Sequence, residues 1–456
     1  MRRDLELKRF GGDLLINFSR VLGTTVFGII TSIIVARTLG PEGRGAYALA
    51  TLLPQFLVTF TNLGIVQAIV YYVARERDRQ RVTAIISTGI ALAFWLSLAG
   101  VGIGGLAIWI GGHEVFPNVS LLLMAFALTL LPVGQLRQNL RGVFRGYEDF
   151  HADGAIEICY TLLNVVLLVV LVWLLDGQVW GAVLANIGAS LLALVYGLWR
   201  LRTRVELARP WQLLIPDRSV ARQLLSYGLR MYVAGLATNL LLRIDIFILN
   251  LLGSGVAAVG IYSVGVALAE RLRVLLSAVV SVVLPRISSW DGDEDRRNLF
   301  TGLIVRHTLW LSIFPAIGIA LLGGPFVRLL YGTEFEEAAL AIVILLPGLI
   351  LFNLGSIILA DTSGRGKPGI GARLALLALI VNIIANIILI PRYDFLGAAL
   401  ASTIAYSFLG ITWGIVFCRI NRQTWDTLVL PTAEDVQRLG RLVRLVIARL
   451  RLLTGQ

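Results

Sequence analysis

The chain reads as an all-α polytopic membrane protein of about 12 transmembrane helices in two six-helix lobes related as parallel repeats. Three observations predict this. Apolar segments of spanning length recur, as at Val21–Val35, Leu162–Leu175 and Leu374–Ile390, each nearly free of charge. Basic clusters such as Arg75-Glu76-Arg77-Asp78-Arg79-Gln80-Arg81 separate them. Short sequences of the first half return, in order, in the second.

Composition excludes a soluble fold. Of 456 residues, 57% are hydrophobic and 15% charged, and the mean hydropathy is +0.81. A soluble domain carries about 25% charged residues, so this chain lacks the polar surface to face water all round. The net charge of +12 does not indicate nucleic-acid binding, because the basic residues lie between apolar spans and not on one face. Cys159 and Cys418 fall in apolar segments, and His113, His151 and His307 are scattered, so neither a disulfide framework nor a metal site is expected. The first apolar stretch, about 14–36, is too long for a signal-peptide core and has no obvious cleavage site after it.

Hydropathy with Gly, Pro and charged breaks places spans near 14–36, 46–70, 83–110, 117–138, 155–175, 178–199, 224–251, 256–283, 301–323, 337–360, 370–390 and 396–418. Asp176-Gly177-Gln178 and Gly253-Ser254-Gly255 fit short hairpins between antiparallel helices. Pro54, Pro132, Pro315 and Pro347 fall inside spans, where each removes one backbone hydrogen bond. Lys and Arg alternate by loop: about 31 lie in the N-terminus, the even-numbered loops and the tail, and about four in the odd-numbered loops. That asymmetry predicts an inner (plasma) membrane protein with both termini cytoplasmic.

The repeat gives the domain organisation. Val35-Ala36-Arg37-Thr38-Leu39-Gly40 then Gly45-Ala46-Tyr47-Ala48-Leu49 answers to Ile248-Leu249-Asn250-Leu251-Leu252-Gly253 then Gly260-Ile261-Tyr262-Ser263-Val264. Asn164 with Gly181-Ala182-Val183-Leu184-Ala185 answers to Asn382 with Gly397-Ala398-Ala399-Leu400-Ala401, and Arg145-Gly146 to Arg365-Gly366. The offsets lie near 213–220 throughout. The expected units are an N-terminal lobe at 1–200, a basic cytoplasmic linker at 201–223, a C-terminal lobe at 224–420 and an amphipathic cytoplasmic tail at 421–456. Six spans per lobe is an even number, so both lobes insert the same way up, an arrangement suited to alternating access.

The motifs carry a resemblance. Phe18-Ser19-Arg20-Val21-Leu22-Gly23, Arg37-Thr38-Leu39-Gly40, Asn62-Leu63-Gly64-Ile65 to Tyr71-Tyr72-Val73-Ala74-Arg75, Leu284-Pro285-Arg286-Ile287-Ser288, Leu330-Tyr331-Gly332-Thr333-Glu334-Phe335 and Ser363-Gly364-Arg365-Gly366-Lys367 follow one another as in polysaccharide flippases. These belong to the multidrug/oligosaccharidyl-lipid/polysaccharide exporter superfamily. The resemblance covers about residues 10–420. It implies a non-enzymatic transporter that moves polyprenyl-diphosphate-linked oligosaccharide to the outer leaflet, in company with a polysaccharide polymerase and glycosyltransferases. Lipid II flippases resemble the chain at Ser19–Gly23 but then carry an Arg-Asp pair, where this chain has Thr24-Thr25-Val26-Phe27. The alternatives are therefore a lipid II flippase and a cation-coupled multidrug exporter of the same superfamily.

Charges inside the spans mark the expected site, since a central charge costs at least about 2.5–3.5 kcal/mol on insertion scales and so faces protein or water. Those lying deepest are Arg20, Arg230, Arg243, Asp245, Glu270, Arg271 and Arg273. Arg230 is close enough to a span end to snorkel. The expected substrate residues are Arg20, Arg243, Arg271, Arg273 and Asn239: arginine forks suit phosphate oxygens, and amides suit sugars. Glu270 and Arg273, three apart, are expected to pair on one helix face. Asp245 and Glu270 are the candidates for binding a coupling proton or sodium ion. No cofactor is expected, and no nucleotide-binding loop is present. First-half positions corresponding to these charges are neutral, as at Ile30, Ser32 and Gln55, so charge is expected to concentrate in the second half.

Overall fold

A computed structural model describes residues 2–202, 214–288, 294–364, 368–421 and 423–430. Residues 203–213 of the basic linker and residues 422 and 431–456 of the C-terminal tail lie outside the described residues. The helices are α1 (Arg2–Thr61), α2 (Ile65–Arg75), α3 (Arg79–Val115), α4 (Leu121–Ala127), α5 (Leu130–Gly146), α6 (Phe150–Leu168), α7 (Gln178–Leu201), α8 (Arg218–Leu241), α9 (Ile244–Leu252), α10 (Val256–Ser288), α11 (Glu294–Tyr331), α12 (Ala338–Gly364), α13 (Pro368–Asn421) and α14 (Trp425–Val429).

Eight of the described helices are long and apolar enough to cross a membrane, nine if α8 and α9 form one bent span. Two cover 41 and 53 residues, Val21–Thr61 and Gly369–Asn421. At about 1.5 Å per residue each is twice the length one crossing needs. Each breaks in the middle, at Gly40 (φ 64°) and Asp394 (φ 51°). Those breaks divide the expected first and second spans, and the eleventh and twelfth, so the total stays close to twelve. α10, with 33 residues, is also long enough to cross but carries Glu270, Arg271 and Arg273. Large apolar side chains point outward along the bundle, with Trp109 81% and Leu321 74% exposed. Such a surface needs lipid around it. The protein is a polytopic helical membrane protein.

Several expected boundaries shift. The second span is broken at Asn62–Gly64, where Leu63 and Gly64 take positive φ, and resumes as α2. The fourth is α4 and α5 in tandem and reaches Gly146. Pro132 sits in the first turn of α5, where its missing N–H costs little. The seventh is α8 and α9, bent by 40°.

The two halves meet in a reciprocal contact. A Cβ on Gly45 would strike the Val256 carbonyl, and a Cβ on Gly260 would strike the Pro41 carbonyl. Gly45 corresponds to Gly260 and Pro41 to Val256 in the repeat register, so each half presents the same turn to the other, as two-fold-related units do. Around this contact, at the Gly40 end of the bundle, Arg37 Nε donates to the Leu330 carbonyl at 2.8 Å and its Nη2 to the Leu329 carbonyl. These are carbonyls of the last turn of α11, which have no partner within the helix. Asn250 donates to the Val115 carbonyl at 2.5 Å, again across the halves.

At the opposite end, Tyr71 of α2 stacks on Tyr227 of α8 with ring centroids 4.3 Å apart. The end of the linker is fixed to α3: Trp95 Nε1 donates to the Leu214 carbonyl at 2.9 Å, and the Asp217 N–H to Thr88 at 3.2 Å. Asp217 caps α8 by accepting from the Ser219 and Val220 amides at 2.8 and 3.1 Å. The Ser219 hydroxyl and these amides stabilise its carboxylate and lower its pKa.

Candidate functional site

The site begins at the break between α8 and α9. Leu242 and Arg243 leave the helix, and Arg243 has φ −137°. Neither Gly nor Pro causes this. Asp245 supports it, because its Oδ1 accepts the Ile246 amide at 2.8 Å and so satisfies one of the amides left open at the start of α9. The break turns Arg243 and Asp245 in different directions.

Arg243 reaches α10, where its Nη2 lies 3.2 Å from Glu270 Oε2. Its side chain is 37% exposed and that of Glu270 15%. The expected Glu270–Arg273 pair is therefore replaced: the bent backbone brings Arg243 to Glu270 from another helix. Glu270 Oε1 and Arg273 Nε are both buried without a hydrogen-bond partner. Tyr406 of α13 is within electrostatic range of Asp245, Glu270, Arg243 and Arg273. Arg271 turns toward the first half, where its guanidinium lies against Gly28 of α1. A Cβ there would be 2.9 Å from Nη2. Asn239 is exposed on α8 and makes no hydrogen bond to this group among the described residues. The Arg20 side chain lies outside the described residues.

Asp245 faces the interior of the second half and is 1% exposed. Its Oδ2 accepts from the Tyr262 hydroxyl at 2.5 Å and the Ser402 hydroxyl at 3.0 Å. Asn382 donates to Ser402 at 3.5 Å, and Asn386 donates to the Asn382 carbonyl and side-chain oxygens at 2.9 and 3.0 Å. The Asn386 side-chain oxygen is buried with no partner. The arrangement is one carboxylate among neutral oxygens, an environment that suits a small cation or a proton.

The first half holds buried charge of its own, on α5 and α6. Arg137 Nη1 lies 2.9 Å from Glu157 Oε2; Arg141 bonds Asp153 at 2.7 Å and Glu157 at 2.6 Å. Arg137 also lies over the Tyr160 ring at 3.9 Å. Tyr160 donates to Asn186 at 3.1 Å, and Asn186 to Tyr47 at 3.1 Å. The signal was present as two i, i+4 pairs, Arg137/Arg141 and Asp153/Glu157, on adjacent helices. Arg44 is the other residue not anticipated. It sits just past the Gly40 break, and its Nε donates to Ser263 of α10 at 3.1 Å.

A family model described as polysaccharide biosynthesis protein matches residues 12–290, and one described as lipid II flippase MurJ matches residues 214–430. A probable low-salt glycan biosynthesis flippase of Haloferax volcanii is 24% identical over 196 residues, which span 42% of this chain and 41% of that protein. A putative O-antigen transporter of Shigella flexneri is 23% identical over 384 residues, 81% of this chain and 88% of that protein. In fold, the chain is similar to an inward-facing multidrug resistance MATE family transporter of the MOP superfamily, with a TM-score of 0.72 at 14% identity over 90% of this chain and 98% of that one. The chain has a MOP-superfamily fold and belongs to the polysaccharide biosynthesis protein family.

Proposed function

We propose that the protein is a flippase and not an enzyme, carrying a polyprenyl-diphosphate-linked oligosaccharide from the cytoplasmic to the outer leaflet by alternating access. The observation that carries this reading is that α8, α9 and α10 bring three arginines, Arg243, Arg271 and Arg273, against two carboxylates, Glu270, which Arg243 engages, and the buried Asp245, with Arg271 turned toward the first half. Three permanently charged forks with two acids leave a local excess of positive charge. A lipid diphosphate offers the complementary charge and the oxygens for bidentate contact. The family assignment and the relatives' names support the same cargo class.

In this reading both termini are cytoplasmic, as the loop arginines indicate, and the Gly40 end faces outward. Residues 1–200 and 224–420 act as the rocking lobes, and the lipid tail stays in the bilayer. The two acids have different tasks. Glu270 holds Arg243 until substrate phosphate displaces it. Asp245, which accepts from Tyr262 and Ser402 with Asn382 and Asn386 in line behind Ser402, takes the coupling proton or sodium ion. Lipid II is the second reading, favoured by the MurJ-model match over residues 214–430. Flipping of labelled lipid-linked oligosaccharide in proteoliposomes, with unlabelled lipid II as competitor, tests both. Movement of the oligosaccharide lipid untouched by lipid II supports the proposal, and movement of lipid II alone replaces it.

A further inference from the structure

Arg137 and Arg141 show how this protein treats structural arginines: it gives them Glu157 and Asp153. Arg44 and Arg271 are treated otherwise. Arg44 is half-buried, and among the described residues its polar contacts are the Ser263 hydroxyl and the Tyr47 ring, 6.0 Å to the centroid. Arg271 makes no hydrogen bond among the described residues, and its neighbour Glu270 is already engaged by Arg243. The two come from opposite halves. Tyr331, 2% exposed, is near enough for both guanidiniums to act electrostatically on its hydroxyl. That hydroxyl and the Ser32 hydroxyl, both buried, approach each other without closing a hydrogen bond.

Two guanidiniums without an ion-pair carboxylate and two hydroxyls without acceptors share one need, an acceptor-rich anion. The fold does not require Arg44, because the corresponding residue of the second half is Val259, which is fully buried and apolar. The site also has a direction. Along α10 from Val256, Ser263 lies about 10 Å in and Arg271 about 22 Å in. Arg44 therefore stands nearer the Gly40 end than the Arg243–Glu270 pair.

We propose that Arg44 and Tyr331, together with Arg271, which they share with the first arginine group, form a second anion site that receives the substrate diphosphate as it moves from Arg243 and Glu270 toward the Gly40 end; this rests on the flippase reading for the cargo and on the loop charges for the direction. The Ser263 hydroxyl keeps Arg44 in place while the Gly40 end is closed. It is a neutral acceptor, and a phosphate oxygen makes a bond roughly twice as strong. Substrate thus exchanges with Ser263 as Glu270 exchanges with substrate at Arg243. The cargo passes between arginines without a gap.

The test is titration calorimetry of inorganic diphosphate into the detergent-purified full chain. Wild type is compared with Arg44→Ala, Arg44→Gln, Arg271→Ala and Ser263→Ala. The glutamine variant can still donate to Ser263 and serves where the alanine variant does not fold. The expected result is binding by wild type, weakened about tenfold or more by loss of either arginine, and binding by Ser263→Ala at least as tight as wild type. Wild type that binds no diphosphate, or Arg44 variants that bind it like wild type, overturns the site. Lipid flipping by the same preparations is read separately. Arg44 variants that flip at the wild-type rate refute the site and leave the flippase reading standing. Wild type that flips no lipid-linked oligosaccharide, with diphosphate binding still dependent on Arg44, refutes the flippase reading and leaves the anion site.

Discussion

Arg243 and Glu270 meet at 3.2 Å between two helices, and the contact exists because the chain leaves helical geometry at Arg243 itself. On a straight helix Arg243 would sit two residues from Asp245 and on a different face from it, with no defined partner. The bend gives it Glu270 and leaves Asp245 to the interior of the second half.

Arg243→Ala should abolish flipping and also lower stability, because it strands a mostly buried carboxylate. Arg243 is more than a third exposed, so the loss is expected at about 1–2 kcal/mol, below that of a fully buried pair. The double variant Arg243→Ala/Glu270→Ala should regain the stability but not the transport. Thermal melting beside a flipping assay separates the two effects. Transport restored in the double variant would mean that the pair only braces the fold.

Gly28→Leu should displace the Arg271 guanidinium, since even a Cβ would lie 2.9 Å from Nη2. The obstructed atom is the mobile end of a long side chain, so the variant should fold and melt near wild type while flipping falls several-fold. Gly28→Ala should have a smaller effect. A Leu variant that transports at the wild-type rate would take Arg271 out of the cargo path.

The reciprocal glycines give a symmetric prediction. Gly45→Ala and Gly260→Ala each push a methyl into a backbone carbonyl, which cannot turn aside. Both should loosen the Gly40 end to similar extents. The measurement is labelling of single cysteines at positions 38 and 254 by a membrane-impermeant maleimide, which should speed up in both variants. Faster labelling in only one variant would show that the contact is not shared equally.

Much of this was legible in the sequence, and the exceptions have physical causes. The helical membrane architecture followed from hydropathy, and the cost of intramembrane charge singled out Arg243, Glu270 and Arg271, of which the fold pairs the first two. The partner of Glu270 did not, because pairing rules on one helix presume that the helix is straight. Arg44 was hidden because the Gly40 turn is so tight that what reads as an outer loop is already helix at Pro41, which carries Arg44 between the halves. The Arg137–Glu157 and Arg141–Asp153 pairs were hidden because they lie where spans meet loops, and charge there usually means headgroups.

Asp217 predicts a local pH response. Its carboxylate pKa is lowered by the bonds it makes at the start of α8. A lowered folded pKa contributes stability above the unfolded carboxylate pKa, and that stability is lost as pH falls through the folded value. Amide exchange at Ser219 and Val220 should therefore accelerate on acidification below the ordinary carboxylate range. Asp217→Asn, which still caps but does not titrate there, should show no such acceleration. An Asn variant with the same acid response would move the effect to another group.

Asp245→Asn should remove the response of flipping to an imposed ion gradient while leaving the protein folded, because the amide keeps an acceptor for Tyr262 and Ser402. If sodium is the ion, adding it should raise the melting temperature of wild type and not of the variant. Gradient-dependent flipping by the Asn variant would remove Asp245 from coupling.

The central claim is that this protein moves a diphosphate-linked oligosaccharide lipid between leaflets. Its most direct test is purified protein in proteoliposomes carrying a fluorescent polyprenyl-diphosphate oligosaccharide, with the outward-facing fraction read by a membrane-impermeant quencher. Wild type should give time-dependent exchange, Arg243→Ala none, and Arg243→Lys partial exchange, because a point charge cannot make bidentate contact. Wild-type vesicles whose label distribution matches protein-free vesicles would contradict it.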